Sequence, residues 1–385
     1  MKMLNAYTLE LDDIEIAVAE LKEQLDMENN LLSHAAGFIT CSYDYVETGI
    51  VQAVSEALPF DIIGCTTLTN AVNEEAGTML FCLTVLTADD VSFSVAASNP
   101  IETNLAQEME GMYQAAIQSL EESPKLILAF LPINTPYGGE LILQALDEAA
   151  GDIPIFGITA CDFDTADYSH SHTFYNGEHA TDKAVILVLS GNVSPRFIVT
   201  ATSEQNIYKQ QAVITASEGS LLKEVNGMSA RDYLSSIGLM QGAGIEGMSS
   251  VPFVVDYNDG TQPVARAIYS VTEEGAAVCG GFMPEGGTLS IGRMDVEDII
   301  SSAEDSLVQL QKGDAPNGII MFPCLGRNMV LGMNPLLEIE KVKEVLGDQI
   351  PWHLAYSGGE VCPVYYDDGS VSNRFHNFTF VACAI

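Results

Sequence analysis

Cationic residues are scarce in this sequence. Its 385 residues include 15 Lys and Arg against 53 Asp and Glu, which gives a formal net charge of −38 at pH 7. A surface this anionic repels nucleic acids and the headgroups of acidic lipids. We therefore expect no nucleic-acid partner, and we interpret the negative charge as a source of solubility rather than as the mark of a cationic partner.

Long apolar segments are also missing. No uninterrupted apolar run approaches the ~18 residues that a membrane-spanning helix requires. The first 13 residues have neither a charged start followed by an apolar core nor the cleavage site of a secretory signal. The sequence therefore predicts no membrane insertion and a cytoplasmic location.

Paired cysteines are absent as well, although eight cysteines are present. They are scattered and include no Cys-x-x-Cys pair: Cys41, Cys65, Cys82, Cys161, Cys279, Cys324, Cys362 and Cys383. Several of them lie in strand-like apolar runs. This distribution predicts reduced thiols without disulfides, as is usual in the cytoplasm.

What the sequence does contain is one pattern repeated three times: strand, helix, strand, small-residue loop and a further strand. The first copy covers residues 36–40, 46–58, 60–64, 65–67 and 78–87, the second 125–131, 140–149, 152–157, 158–160 and 184–189, and the third 318–322, 335–346, 350–355, a loop from 357 and 378–384. Strand–helix–strand units form parallel strand pairs with right-handed crossovers. Loops at the carboxyl ends of such strands commonly bind ligands, and we expect those at Thr66, Thr159 and Gly358 to be equivalent.

The segment between the second and third copies has a different pattern. A boundary is indicated at residues 190–203, followed by short alternating strands, a glycine-bearing loop at 241–247 and a helix at 296–311. We therefore predict an α/β protein of repeated strand–helix–strand units in mixed, mainly parallel sheets. It would have two domains, residues 1–200 and 201–385, the second with an added antiparallel stretch.

The third copy is the richest in candidate binding residues. Cys324, Gly326 and Arg327 directly follow a predicted strand. The guanidinium of Arg327 suits bidentate binding of a carboxylate or phosphate, and a structural salt bridge to Glu338, Glu340 or Glu360 is the alternative. On an exposed loop beside this cation, Cys324 would have a lowered pKa and would be the most reactive thiol.

The next loop and the last strand supply further candidates. Ser357, Gly358, Gly359 and Glu360 combine a flexible backbone with a carboxylate, and Glu360 suits a ligand ammonium group. The two glycines permit close approach of a ligand, or a turn with positive φ. His376 and Asn377 offer donors and acceptors, although a lone histidine in a strand is more often structural. We predict a pocket for a zwitterion here, with the loops at Thr66 and Thr159 as the alternative place.

Two other groups of residues have side chains that suit catalysis or metal binding. Cys324, His376 and Glu360 would suit a hydrolase triad, but no nucleophile elbow accompanies them. The His-x-His pattern of a polar stretch would suit a metal, although a solvated loop is favoured: Asp162, Asp164, Asp167, His170, His172 and His179. No P-loop or Gly-x-Gly-x-x-Gly motif follows a strand, so nucleotide binding lacks support.

The order of these motifs resembles the FIST family (F-box and intracellular signal transduction). The amino-terminal pattern is matched by residues 62–67, 153–162, 174–177 and 182–186, and the carboxy-terminal pattern by 324–327, 357–361 and 376–379. The resemblance implies a sensory domain for small ligands, with amino acids proposed. Such domains often accompany signalling modules in prokaryotes, and one branch binds heme and senses nitric oxide.

Together these inferences predict a sensor for an amino acid or a similar small carboxylate, without catalysis, metal or cofactor. Because Ile385 ends the last strand, we expect the protein to act on a separate signalling protein or simply to bind a metabolite. The alternatives are a heme-binding nitric oxide sensor and an uncharacterised enzyme that depends on Cys and His.

Overall fold

Three units with the same order of elements build the protein. The computed structural model describes residues 1–163, 167–240, 251–366 and 368–385. The predicted glycine-bearing loop at 241–247 lies outside these residues. Each unit runs strand, helix, strand, helix, strand, hairpin and closing strand, so the repeat extends further towards the amino terminus of each copy than the sequence pattern indicated.

The elements are as follows. The first unit contains β1 (Lys2–Thr8), α1 (Ile14–Leu25), α2 (Met27–Asn30), β2 (His34–Cys41), α3 (Asp44–Glu47), α4 (Ile50–Ala57), β3 (Asp61–Thr66), β4 (Asn70–Val72), β5 (Ala76–Gly77) and β6 (Phe81–Ala88). The second contains β7 (Val91–Ala97), α5 (Leu105–Ile117), β8 (Pro124–Leu131), α6 (Gly139–Ala150), β9 (Ile155–Thr159), β10 (Thr173–Tyr175), β11 (Glu178–Ala180) and β12 (Val185–Gly191).

The third unit is interrupted by an insertion, residues 204–291. After β13 (Arg196–Thr200), the insertion contains a 3-10 helix (Glu204–Asn206), β14 (Ala212–Glu218), β15 (Leu221–Val225), β16 (Met228–Ser229), α7 (Ala230–Ser236), β17 (Phe253–Asp256), β18 (Val264–Arg266), β19 (Ile268–Val271), β20 (Ala277–Cys279) and β21 (Thr288–Ile291). The unit then continues with α8 (Val296–Leu310), β22 (Ile319–Pro323), α9 (Leu325–Leu331), α10 (Leu337–Leu346), β23 (Trp352–Ala355), β24 (Glu360–Tyr365), β25 (Val371–His376) and β26 (Phe380–Ala384).

Each unit contributes one parallel strand pair, β2 with β3, β8 with β9 and β22 with β23. These strands are nearly continuous apolar runs because both of their faces are buried. The pairings on either side of each parallel pair are antiparallel. The α/β class with repeated units and mixed sheets is confirmed. Antiparallel pairings nevertheless outnumber parallel ones, because hairpins and closing strands surround each pair.

The hairpins are exchanged around a ring. The hairpin of the second unit pairs with the first unit through β10 and β3, that of the third with the second through β24 and β9, and that of the first with the third through β4 and β23. Three six-stranded sheets result, in the orders β1-β6-β2-β3-β10-β11, β7-β12-β8-β9-β24-β25 and β13-β26-β22-β23-β4-β5. Hairpins therefore cross the predicted boundary near residue 200 in both directions.

The three sheets share a central core, and helices cover their outer faces. Phe322 stacks on Phe156 with ring centroids 5.2 Å apart and meets Phe130 edge-on at 6.2 Å. His353 is buried nearby, where its two ring nitrogens lie 2.9 Å from the hydroxyls of Thr40 and Thr84. This core holds the carboxyl ends of the parallel strands in fixed relative positions.

The insertion forms a separate antiparallel sheet in the order β18-β17-β21-β14-β15-β20-β19, with β16 beside β15. This confirms the added antiparallel stretch. In the described parts of the chain, no helix has the length and apolar character needed to cross a bilayer.

Candidate functional site

The carboxyl ends of the three parallel pairs meet at one place. In the strand register, Thr66 lies opposite Cys41, Thr159 opposite Leu131 and Ser357 opposite Cys324. A hydroxyl residue therefore occupies the same position in every unit. The predicted equivalence of the three loops is confirmed, with Ser357 rather than its neighbour Gly358 at the corresponding position.

Backbone hydrogen bonds join these loops directly into what we call the loop junction, residues 66–69, 159–161 and 356–359. The N–H of Cys161 donates to the carbonyl of Thr66 at 3.0 Å, and that of Gly358 donates to the carbonyl of Thr159 at 3.4 Å. The N–H of Tyr356 donates to the carbonyl of Thr69 at 3.0 Å. Each unit thus contacts both others at the loop junction.

Glu360 is the most unusual group beside the loop junction, because its carboxyl group is fully buried. One carboxyl oxygen accepts hydrogen bonds from the hydroxyl of Thr379 at 2.8 Å and from its N–H at 3.3 Å, and the other lies 3.4 Å from the hydroxyl of Ser357. Burial raises the pKa of Glu360 to about 8, although hydrogen bonds from Thr379 and Cys324 oppose this shift. At neutral pH the carboxyl is therefore mostly protonated.

Cys324 contacts this carboxyl group but is not the reactive thiol that the sequence predicts. It precedes the first turn of α9, so the segment 324–327 is the start of a helix rather than an exposed loop. Cys324 is buried, and burial, followed by the nearby Glu360, raises the pKa of its thiol well above the ordinary value. The predicted lowering of its pKa is wrong because the thiol is buried beside a carboxyl group and the expected cation points elsewhere.

That cation, Arg327, forms a structural salt bridge. Both charged side chains are fully buried, and the Nε and Nη2 atoms of Arg327 donate to one oxygen of Glu338 at 2.9 and 2.6 Å. Nη1 donates to the carbonyl of Ala201 at 3.2 Å, and Nη2 also donates to that of Ile299 at 3.0 Å. Tyr356 completes the network by donating to Glu338 at 2.7 Å. All three nitrogens of the guanidinium have partners within the protein. Arg327 therefore forms the structural salt bridge, the alternative to the predicted binding of a ligand carboxylate.

The glycines of the predicted pocket allow close packing of aromatic rings. A Cβ atom on Gly359 would lie 2.4 Å from the ring of Phe375, and one on Gly326 would lie 2.5 Å from the ring of Phe378. Neither these two glycines nor Gly358 has a positive φ. A tight turn is therefore not the reason for glycine at these positions.

His376 and Asn377 connect the end of β25 to its surroundings. The fully buried His376 donates from Nε2 to the carbonyl of Cys362 at 2.9 Å, and burial lowers its pKa to about 3. Its Nδ1 atom has no partner among the described residues. Asn377 accepts a hydrogen bond from the N–H of Ala267 in the insertion at 3.1 Å. Within the described structure no hydrogen bond links His376 to Cys324, so the hydrolase triad is not assembled.

Two residues near Glu360 were missed by the sequence analysis. Thr379 lies within the motif that begins at His376, and a hydroxyl residue in that motif could have indicated a hydrogen-bond donor for the site. Tyr269 belongs to the insertion, whose alternating pattern gave no signal. Tyr269 is 62% exposed, yet burial of its hydroxyl group, followed by Cys324 and Glu360, raises its pKa. Its ring therefore borders solvent while its hydroxyl reaches inward towards the cluster around Glu360.

A second buried arginine fastens the insertion to the second unit. Arg266 is fully buried, and its Nη2 atom lies 3.1 Å from a carboxyl oxygen of Glu140 and donates to the hydroxyl of Tyr257 at 2.6 Å. It also donates to the carbonyl of Phe375, the residue before His376. The insertion and the strand that carries His376 are thereby held together.

The polar stretch at 162–179 is only partly solvated. Asp164 lies outside the described residues, whereas His172 is buried. Over the described ranges, no group of three or more His, Cys, Asp or Glu side chains is arranged to hold a metal ion.

Comparison with known proteins gives the following matches. The FIST N domain matches residues 35–228, and the FIST C domain matches residues 221–363. No curated protein has a significantly similar sequence. A solved cyanuric acid hydrolase is 8% identical with a TM-score of 0.36 over 99% of this chain and 98% of its own. The cyanuric acid hydrolase of A. caulinodans is 12% identical with a TM-score of 0.36, over 100% of this chain and 98% of its own. A chorismatase is 10% identical with a TM-score of 0.36, over 91% of this chain and 92% of its own. These scores do not establish a shared fold, whereas the two domain matches together span most of the sequence. The chain therefore belongs to the FIST family.

Proposed function

We propose that the protein is a sensor of a small ligand that carries an amino group, such as an amino acid, and that this ligand binds beside Glu360 at the loop junction. Membership of the FIST family, whose domains serve as small-ligand sensors in signal transduction, supports the general function. The observation that carries the finer proposal is the buried, mostly protonated carboxyl group of Glu360.

A ligand ammonium group would convert this carboxyl group into the charged partner of an ion pair. Bringing a cation next to a buried carboxyl lowers its pKa, so binding would release the proton of Glu360. A hydrogen bond to a charged group contributes about 1.5–3 kcal/mol, which is a useful share of the ~8 kcal/mol of micromolar affinity. The thiol of Cys324 and the hydroxyl of Ser357 would supply further polar contacts.

The ligand carboxylate, if one is present, would have to be bound without Arg327. The nearest candidate donor is the hydroxyl of Ser357, 3.4 Å from the carboxyl group of Glu360. The hydroxyl of Thr159 lies on the other face of the sheet, beside Gly139. A neutral hydroxyl binds a carboxylate more weakly than a guanidinium does. We therefore expect the amino group of the ligand to dominate affinity.

Because Glu360 is fully buried, the segments that cover it, including the insertion, would have to move for a ligand to enter. The proposed role of the insertion is supported by the hydrogen bond from Ala267 to Asn377 and by Tyr269, whose hydroxyl lies near Cys324 and Glu360. A ligand that displaces them would shift the insertion, and a separate signalling protein that contacts the insertion would read that shift. Eight free, buried cysteines are consistent with the cytoplasm as the place of action.

A thermal-shift screen with matched ligands tests this proposal. Each amino acid is compared with the amine that lacks its carboxylate and with the acid that lacks its amino group. At ~100 times the dissociation constant, a true ligand adds about 2.7 kcal/mol to stability, a rise of a few degrees. The amine should retain much of the shift and the acid should lose it.

The variant Glu360→Gln should abolish the shift, while Glu340→Gln, on the exposed face of α10, should retain it. For the wild-type protein, affinity for the amine should rise up to ~tenfold per pH unit as the pH approaches 8, because the proton on Glu360 must leave. Normal binding by Glu360→Gln, or a preference for the acid over the amine, would exclude this site for the ligand.

The two alternatives have weaker support. Heme ligation by His376 does not suit the geometry, because its ring is fully buried and Nε2 already donates to the carbonyl of Cys362. Nucleophilic catalysis by Cys324 requires a thiolate, whereas burial and Glu360 raise the pKa of this thiol. Binding without turnover is therefore the better-supported function.

A further inference from the structure

Half of the six histidines of the chain lie close together beside the hairpin of β10 and β11. His170 and His172 precede β10, and His179 lies within β11. The Nδ1 atoms of His172 and His179 are 3.0 Å apart. The proposed sensing function does not use this cluster.

The ring of His172 is oriented by its surroundings. Its Nε2 atom lies 3.0 Å from the carbonyl of Ser169, which accepts a hydrogen bond from that nitrogen. The proton is therefore on Nε2, and Nδ1 presents a lone pair towards His179. A backbone carbonyl that fixes the tautomer and the ring orientation in this way is the usual companion of a metal-ligating histidine.

The position of His172 is also well fixed. Its backbone N–H donates to the hydroxyl of Thr66 at 2.9 Å, and its carbonyl accepts from the N–H of Thr66 at 2.9 Å. The ring of Tyr43 stacks on His170 at 4.2 Å between centroids and on His172 at 5.1 Å. One imidazole is thus held rigidly, while that of His179 is at the exposed end of the pair.

We propose that His172 and His179 form a two-imidazole chelate for a divalent late-transition-metal ion. Two nitrogens at about 2.1 Å from one ion are about 3.0 Å apart when the angle at the metal is near 90°, and about 3.4 Å apart at a tetrahedral angle. The observed separation corresponds to adjacent positions of an octahedral or square-planar ion. Imidazole ligands with this geometry favour Ni²⁺ or Cu²⁺ over Mg²⁺ or Ca²⁺.

Two side chains leave the other coordination positions to water. Two imidazoles make a bidentate site, and within the described part of the chain no group of three or more His, Cys, Asp or Glu side chains is arranged to hold an ion. Such a site binds and releases an ion readily, because the exposed His179 leaves it open to solvent. The alternative is a hydrogen bond from Nδ1–H of His179 to Nδ1 of His172, which needs no metal.

Titration calorimetry of the full chain with Ni²⁺ distinguishes the metal chelate from the hydrogen-bonded histidine pair. We expect binding of one ion per chain, with an affinity at least ~10-fold lower in His179→Ala and in His172→Ala. Mg²⁺ at the same concentration should give no signal. The matched control is His34→Ala, because His34 is an exposed histidine away from the proposed site. It begins β2, whereas Cys41, at the other end of β2, pairs with Thr66.

His179→Ala is the decisive variant, because an exposed side chain can be removed without unfolding the protein, whereas the buried His172 is also structural. The NMR signals of the His179 ring should shift or broaden with Ni²⁺ in the wild-type protein. Unchanged affinity in His179→Ala, or an equal loss in His34→Ala, would overturn the chelate and leave the hydrogen-bonded pair.

Discussion

Replacing Glu360 by Gln should change the pH dependence of the free energy of unfolding, whereas replacing an exposed glutamate should not. The folded-state pKa of Glu360 is about 8, against 4.5 for the unfolded chain. Because the folded state holds the proton more tightly, this carboxyl contributes its full stability below pH 4.5 and loses it as the pH rises through 8. Each unit of pKa difference corresponds to about 1.36 kcal/mol, so the loss amounts to ~5 kcal/mol.

Gln cannot ionise, and its amide retains the shape and the acceptor that Thr379 requires. The free energy of unfolding of Glu360→Gln, relative to wild type, should therefore rise by ~5 kcal/mol between pH 4 and pH 9. Urea denaturation at a series of pH values measures this difference, in which the contributions of all other groups cancel. Glu340→Gln, at an exposed site, is the control and should give a nearly flat difference.

A flat difference for Glu360→Gln as well would refute the reasoning. It would mean that the carboxyl ionises in the folded state at its ordinary pKa, and that a cation or water reaches it. The argument for a ligand ammonium group would then lose its basis, since Glu360 would no longer be a neutral group awaiting a charged partner.

Three other substitutions or modifications test the packing around the loop junction. Arg327→Ala should destabilise the protein by ~3–5 kcal/mol in urea denaturation, because it leaves a buried glutamate unpaired; a loss under 1 kcal/mol would contradict full burial. Cys324 should react with iodoacetamide at pH 8 at least ~10-fold more slowly than a free thiol, because its pKa is raised, and fast labelling would reveal exposure. Gly359→Ala should cost about 1–3 kcal/mol through contact with Phe375, whereas Gly111→Ala, where a Cβ atom meets nothing within 4 Å, should be neutral or stabilising by calorimetry.

The three repeated units were predictable because their signal is local. An apolar run followed by an amphipathic helix and a second apolar run identifies each parallel pair from the sequence alone. The ring of hairpins was not predictable in this way. β4, β10 and β24 pair with strands of other units, and short strands carry no sequence mark of a distant partner.

Among the candidate site residues, too, a local sequence signal identifies some, whereas the roles of others depend on contacts with distant segments. Position after a strand correctly brought Thr66, Thr159 and Ser357 together. The role of Arg327 depended on which carboxylate its side chain reaches, and Glu338, on the following helix, is 11 positions away in sequence. Glu340 and Glu360 were equally plausible partners in the sequence. Only the packing of α8 and α10 around the guanidinium decides between them.

The exchange of hairpins has a consequence for synthesis of the chain on the ribosome. The second sheet gains its last two strands from residues 360–376, and the third sheet takes two strands from residues 70–77. Until both partners have emerged, β9 and the β4–β5 hairpin present unpaired backbone edges, which promote association with other chains. Completion of all three sheets is therefore late and concerted, and nascent chains that stall before residue 360 are the species that chaperones must protect.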